Sequence, residues 1–593
     1  MIEKTIKHRD KHSKTFKNID GFDENKYPIK LQHIFLSRGI QSEKDLDYRL
    51  SELLSPHLLL NTDIASEIIF TALRGNKKIL IVGDFDADGA TSTALMIKAL
   101  TALGAKHVSF LVPDRFQYGY GLSVKLVEHA ALTKPDLIIT VDNGIANHEG
   151  VDKANELGMA VLITDHHLPA ETLPSAVSIV NPNQSEDDFP SKNLAGVGVA
   201  FYLMLALRSL MRSQNWFIEH DIAEPNLSEL LDLVALGTVA DVVALDKNNR
   251  ILVEQGLKRI RSGQSCFGIK ALLKVARKNI NQCQASDLGF AIGPRLNAAG
   301  RLEDMSIGIN CLLASSEIEA EKIAQQLDSL NRKRREIEQG MSEQANQVLN
   351  QLFSHDNEKN IEKNRPNALC LYQPNWHQGV IGILASRVKE KINRPVIVFA
   401  KDEGDGLAKI KGSARSVAGV HVRDVLALVD SKNPDLIEKF GGHAMAAGLT
   451  LKEKDLQFFE QQFSECTTAI LAGAEIVDEI MTDAGIDEEN LTINFARQIR
   501  SNGPWGQGFP EPSFDDEFQI VNHRIVGEKH LKLVLKKGDL MLDAICFFFD
   551  QKLQVQEDDY IHAVFKLDIN EFRNIETLQL IIEQLTINKN SSS

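Results

Sequence analysis

The stretch KKILIVGDFDADGATS, residues 77–92, decides how the chain is read. An apolar, β-branched run stops at three aspartates in alternate positions, Asp84, Asp86 and Asp88, and the helix-forming TSTALMIKALTAL (91–103) follows at once. In extended backbone alternate side chains face the same way, so this spacing places the carboxylates on one edge. Like charges so placed repel one another unless a cation lies among them. Two later runs, LIITVDNG (137–144) and AVLITDHH (160–167), also end in acid or histidine, with the helical ANHEGVDKANELG (146–158) between them. Strand, helix and strand in series predict a parallel sheet with both faces covered. In such sheets functional groups gather beyond the carboxyl ends of the strands.

Three strand ends therefore offer Asp84, Asp86 and Asp88, then Asp142, then Asp165, His166 and His167. Asp241 joins them, closing the apolar helical run LLDLVALGTVADVVAL (230–245). Mixed carboxylate and imidazole donors suit Mn2+, and Mg2+ less well, while the lack of thiolates disfavours structural zinc. So many donors exceed the needs of one ion. They suit two ions ~3.5 to 4 Å apart, which activate water and steady a leaving oxygen in phosphoester hydrolysis. Each motif alone has a plainer reading. DADGAT matches the nucleophile loop of aspartyl-phosphate phosphatases, an aspartate after a strand often caps a helix, and a lone histidine is commonly a core residue. Capping does not explain their joint occurrence at successive strand ends.

The 593 residues exceed one core and predict three or four domains. The charged N-terminus has no apolar segment of a secretory signal, and no apolar run reaches the ~18 residues of a membrane span. Six cysteines without a CxxC pair argue against a zinc site or a disulfide framework and fit a reducing cytoplasm. A net charge of −15 counts against non-specific coating of nucleic acid. It leaves room for a strand held in a local groove, since NRKRRE (331–336) and KHLKLVLKK (529–537) are basic.

The reading divides the chain into an N-terminal segment (1–70), an α/β parallel-sheet domain (71–314), a connecting helix and linker (315–366), a smaller α/β domain (367–466), a β-barrel of OB-fold type (467–587) and a frayed tail (588–593). In residues 315–353, Ile318, Ile323, Leu327, Leu330, Ile337, Met341, Ala345, Val348 and Leu352 recur at helical steps. A strut between domains and a packed core helix fit that pattern equally. The barrel rests on the short alternating strands HLKLVLKK, LMLDAICFFF and YIHAVFKLDI, with turn signals in NGPWGQGFPEP (502–512).

DFDADG, VDNG, DHH and GTVAD, in this order, resemble the four motifs of the DHH phosphoesterases. NWHQGVIGILASRV (375–388), KGSARS (411–416) and FGGHAMAAGLT (440–450) look like the DHHA1 substrate domain that accompanies them. Length, long helix and barrel are similar to the bacterial branch of exonucleases that degrade single-stranded DNA from its 5′ end. The resemblance implies metal-dependent release of mononucleotides in DNA repair and recombination, by in-line attack without a covalent intermediate. It implies Asp86, Asp88, Asp142, His166, His167 and Asp241 as ligands of two Mn2+ or Mg2+ ions, with Asp142 bridging and Asp84 and Asp165 orienting. The same resemblance makes Asp84, Asp165, His166 and His167 the expected catalytic group. Where the pyrophosphatase branch carries a histidine in the first motif, this chain has Val82, which implies a first metal site completed by water.

The same resemblance puts Arg115, Arg295, Arg301, His377, Arg387, Ser413 and Arg415 on the DNA backbone or a 5′ phosphate, where guanidinium forks donate paired hydrogen bonds. Phe116, Tyr118 and Tyr120 offer stacking surface to bases, or pack as core. The small residues around Gly442 and His443 let amides approach a phosphate as at a helix N-terminus, or let helices pack tightly; the resemblance favours substrate. A channel between the α/β domains, closed over by the barrel, is expected to pass one strand and exclude a duplex. The implied partners are single-stranded DNA, a helicase and a single-strand-binding protein, with no membrane and a monomeric chain. Two other readings remain: a phosphodiesterase of short oligonucleotides or cyclic dinucleotides, which needs no barrel, and a non-catalytic scaffold, which needs no intact acid set.

Overall fold

The computed structural model describes residues 4–9, 19–115, 117–353, 366–402, 408–473, 476–527, 529–549, 553–573 and 575–588. Phe116, most of the linker after residue 353 and the last five residues lie outside them. Strands Val108–Leu111, Ile79–Val82, Leu137–Val141, Ala160–Thr164 and Ser178–Val180 lie side by side in that order, all parallel. The three central strands are buried almost throughout, as expected of a parallel sheet packed on both faces. The two edge strands escape the sequence pattern because one is half-exposed and the other has three residues.

Register brings the motifs level. Val82 pairs with Thr140 and Val141 with Thr164, so carrying the pairing forward aligns Asp84, Asp142 and Asp165 just past the sheet edge. The strand order reverses between Ile79–Val82 and Leu137–Val141, and the crevice beyond such a switch is where ligands bind in open α/β sheets. The expectation that Asp84, Asp86 and Asp88 alternate along a strand is corrected. The strand stops at Val82, Asp86 is the N-cap of helix Ala87–Ala102, and Asp88 lies in its first turn. Asp86 accepts hydrogen bonds from the Asp88 and Gly89 amides at 3.0 Å, so the helix begins as soon as a cap is available. Val82 is wholly buried in the apolar cluster that includes Leu122, Leu126 and Ile145.

Helix Glu317–Phe353 is both strut and core element. Ala320, Ala324, Leu327 and Leu330 belong to the main core, whereas Met341, Ala345 and Leu349 belong to the core of the smaller α/β domain. Its apolar ends do not pack: Ile318 is 84% exposed and Leu352 55%. The smaller domain has strands Lys439–Gly442, Ala446–Lys452, Lys409–Arg415, Val396–Lys401 and Leu369–Tyr372 in that order, with only the last pair parallel. FGGHAMAAGLT therefore forms two antiparallel strands and their turn. It does not start a helix, because its residues sit in a ladder whose amides pair across strands; Ala447 and Leu449 share a buried core with Val425 and Leu426 of helix Val422–Lys432.

Strands Phe514–Val526, His530–Lys537, Leu540–Cys546, Tyr560–Phe572 and Ile575–Asn588 close into a barrel. The N-terminal segment docks on it. Thr5–His8 pairs in parallel with Glu479–Thr482, and Arg38 grips Asp483 with two hydrogen bonds of 2.7 and 2.8 Å. The stretch NGPWGQGFPEP carries more than turns: Trp505 stacks between Phe35 and Phe509, with centroids at 6.0 and 4.9 Å. One apolar core thus runs from the N-terminal segment through the parallel-sheet domain into the barrel.

Candidate metal centre and substrate contacts

All eight predicted acid and imidazole residues converge beyond the switch point. Donor atoms of Asp142, His166 and His167 lie within 4.8 Å of one another, as do those of Asp88, His166 and Asp241, and those of Asp84, Asp86 and Asp142. Asp142 and His166 each belong to two of these groups, and the shared carboxylate is where a bridging ligand would stand. Asp84 falls in the donor set itself rather than behind it. Asp165 is placed as an orienting group. One oxygen accepts the His166 and His167 amides at 2.7 and 3.1 Å and His167 Nδ1 at 2.7 Å, and the other accepts the Ile145 amide at 3.0 Å. With Nδ1 so engaged, His167 turns Nε2 toward the crevice.

These donors fit divalent cations. Asp84 Oδ1, Asp142 Oδ1 and His166 Nε2 are buried and, among the described residues, have no hydrogen-bond partner, an expensive condition for polar atoms. His166 Nε2 and Asp142 Oδ1 stand 3.1 Å apart, both facing the same small space. Burial and the neighbouring carboxylates push Asp84 up to about 8 and Asp88 up to about 7, and raise Asp142 and Asp241 well above the usual range. Burial and the charge of His167 push His166 down to about 4, which keeps it a neutral donor. Burial opposes a charge on His167, but the Asp165 hydrogen bond prevails and takes it up to about 9.

The backbone is held out of its ordinary range here. Asp142 has φ 62° and Val242, next to Asp241, has φ 61°; a β-branched residue in that region is an outlier of the kind found at functional sites. Several residues that build the site carry no motif. Asp88 accepts the Gly196 and Val197 amides at 2.6 and 3.0 Å, so a second helix starts on it. Asn181 and Asn183 hold the carbonyls of His167 and His166 at 2.9 and 2.6 Å. Asn297 accepts the Ala87 amide at 2.8 Å. A Cβ on Gly237 would lie 2.3 Å from Thr91 Oγ1 and 2.8 Å from Asp88 Oδ1. Only the asparagines and glycines themselves mark these roles in the sequence, and both residue types are common in turns.

The predicted substrate contacts divide by what their donors already do. Arg295 is committed to Asp328 and the Ala291 carbonyl, and Arg387 pairs with Glu338 of the long helix. Arg115 lies over the Phe85 ring, its Cζ 4.0 Å from the centroid. Arg301 reaches the Gly379 carbonyl at 3.2 Å, and burial with the charges of Arg115, Arg334 and Arg415 pushes it down to about 10. Like charges acting on one another in this way favour an anion among them; Arg334, from the basic NRKRRE run, also pairs with Glu338. Arg415 donates to Ser413 Oγ at 3.1 Å. His377 Nδ1 accepts the Gly379 amide at 3.0 Å.

His443 comes from the other domain to lie over His167, rings 6.1 Å apart and 18° from parallel. Its neighbour Gly442, at φ 137°, ends its strand at the turn. Tyr120 is 49% exposed, is T-shaped to both Phe85 and His167 and has its hydroxyl 3.4 Å from His167 Nε2. Tyr118 instead packs against an apolar cluster and the His129 ring.

Comparison with known proteins agrees with this geometry. The model of the DHH family, N-terminal domain, matches residues 78–238, that of the DHHA1 domain 365–469, and that of the RecJ OB domain 482–584. The chain is 50% identical over 567 residues to the single-stranded-DNA-specific exonuclease RecJ of Dickeya dadantii, covering 94% of this chain and 96% of that one. It is similar to crystal structures of RecJ from Thermus thermophilus in complex with Mn2+ and with Mg2+. Their TM-scores are 0.76 and 0.71 at 29% and 28% identity, covering 94% of this chain and 76% and 74% of those chains.

Proposed function

The chain belongs to the RecJ family of single-stranded-DNA-specific exonucleases, within the DHH phosphoesterases, and from that membership we propose how its residues divide the work. It is an exonuclease of single-stranded DNA whose cofactor is Mn2+ or Mg2+. Asp84, Asp86, Asp88, Asp142, His166, His167 and Asp241 would hold the cations, with Asp142 in two of the donor groups. Bound there, the cations supply an activated water and charge stabilisation for the departing oxygen. Asp165 fixes the His167 ring, and neutral His166 presents Nε2 without needing to lose a proton. Arg115, Arg301 and Arg415, the last steadied by Ser413, receive the terminal phosphate and aim the scissile bond at the acids. His443 donates to a phosphate oxygen, and Tyr120 stacks on the terminal base.

The observation that carries this reading is the convergence of buried, unpartnered Asp84, Asp142 and His166 atoms beside a crowd of arginines. We place the reaction at the 5′ end, with mononucleotide products, in the cytoplasm, in a monomer serving repair and recombination alongside a helicase and a single-strand-binding protein. The test is digestion of one strand labelled at either end with Mn2+ present. Label released first from the 5′ end as mononucleotide is expected. Release first from the 3′ label, or equal digestion of blunt duplex, would overturn the polarity or the single-strand channel.

A further inference from the structure

Phe85 separates Asp84 from Asp86, and its side chain is neither acid nor ligand. Its ring carries the Arg115 guanidinium on one side and meets the edge of Tyr120 at 5.9 Å and 78°. Among the described residues Arg115 has no hydrogen bond and no ion pair. A guanidinium held by its flat face keeps its five N–H donors, which point outward in its plane. Arg295, by contrast, gives Nε and Nη2 to Asp328 and Nη1 to the Ala291 carbonyl. Phe85 is therefore a support that fixes a cation while leaving its donors for a ligand.

The backbone beneath that ring is fixed as well. The Ala87 amide donates to Asn297 Oδ1 at 2.8 Å, and a Cβ on Gly300 would lie 1.9 Å from the Phe85 carbonyl oxygen. Helix Gly293–Leu302 thus presses on residues 85–87, and the same helix carries Arg301. One short segment bears the acids, supports Arg115 through a ring and abuts the helix of Arg301. Arg115 itself belongs to the loop after strand Val108–Leu111, with Gly119 at φ 79° and Gly121 at φ 64°.

We infer that Phe85 is a positioning residue: its ring sets where Arg115 holds the terminal phosphate relative to the acids, and so which phosphodiester is cut. The inference rests on the reading in which Arg115 receives that phosphate. The experiment compares wild type, F85L, F85Y, R115A and F85L/R115A on single strands bearing a 5′ phosphate or a 5′ hydroxyl. F85L is expected to raise KM for the phosphorylated strand roughly 2- to 30-fold, the range of a cation–π contact. Its kcat and its half-maximal Mn2+ concentration should stay within about twofold. The effect should shrink on the hydroxyl strand, vanish in F85Y, and add nothing in the R115A background. Should F85L not fold, F85M carries the same expectation, since a flexible unbranched chain fills the gap without supplying a ring. An unchanged KM, an equal penalty in the R115A background, or a shifted Mn2+ requirement would each overturn it. Fluorescence anisotropy of the phosphorylated strand in EDTA makes the same comparison without turnover. A wild-type chain that binds with this pattern but never cleaves would sink the exonuclease reading and spare this one.

Discussion

At the residue scale, the site is a set of acids kept in a place where acids are costly. Replacing Asp142 with alanine removes the carboxylate shared by two donor groups. Activity should fall more than about 100-fold, beyond the 10- to 100-fold typical of an orienting partner. Asp165→Asn should land within that smaller range and show as a weaker Mn2+ dependence, because it replaces one accepting oxygen by a donor and removes the charge that anchors the His167 ring. pH gives a second handle. Asp84 and Asp88 are raised to about 8 and about 7, so in the metal-free chain the folded state keeps protons the unfolded state has lost, and stability declines as pH rises from about 4. His167, raised to about 9, continues that decline between 6.5 and 9. His166, lowered to about 4, acts oppositely, but only below 6.5. In EDTA the Tm should therefore fall from pH 6.5 to 9, and Mn2+ should raise it more at pH 8.5 than at 6.5; a flat Tm across that window would contradict the acid cluster.

At the element scale, the centre depends on how closely backbones approach. Helix Leu231–Ala240 delivers Asp241 only because Gly237 lets it lie against Thr91 and Asp88. Gly237→Ala should destabilise the fold by about 1 to 3 kcal/mol, the usual range for overpacking. It should also lower activity at saturating Mn2+, since Asp88 must shift. Thermal unfolding and steady-state rates measured on the same variant check both. The element pattern in the sequence was legible where strands are buried on both faces, as in Leu137–Val141 and Ala160–Thr164. It failed at FGGHAMAAGLT, because glycine and alanine have no periodicity to separate a hairpin from a helix start. It failed also for the alternation in DFDADG, where a helix cap displaced the extended chain that the spacing suggested.

At the scale of the whole molecule, helix Glu317–Phe353 and the N-terminal segment tie the parts together. The Arg38–Asp483 pair, with side chains 1% and 3% exposed, joins residues far apart in the chain. Arg38→Ala would leave a buried aspartate unpaired, a loss of about 3 to 5 kcal/mol. It should free the N-terminal segment from the barrel, seen as faster proteolysis near residue 38 and a lower midpoint in urea. Normal resistance in that variant would argue that Trp505 and Phe35 suffice to hold the segment. The exposed ends of the long helix, Ile318 and Leu352, bound the part that links the two α/β domains.

By itself the sequence determined the parallel sheet, the barrel and the identity of the acids and histidines, since strand burial and motif spacing are local properties of the chain. Which arginines keep donors to spare was decided only by tertiary structure. Arg115 and Arg295 look alike in sequence, yet one rests on a ring face and the other is spent on Asp328. The placement of His443 over His167, and the core shared by the N-terminal segment and the barrel, were likewise invisible beforehand. Each depends on contacts between residues distant in the chain, 33 positions for Arg295 and Asp328 and far more for His443 and His167, which close-packing selects and no local pattern encodes.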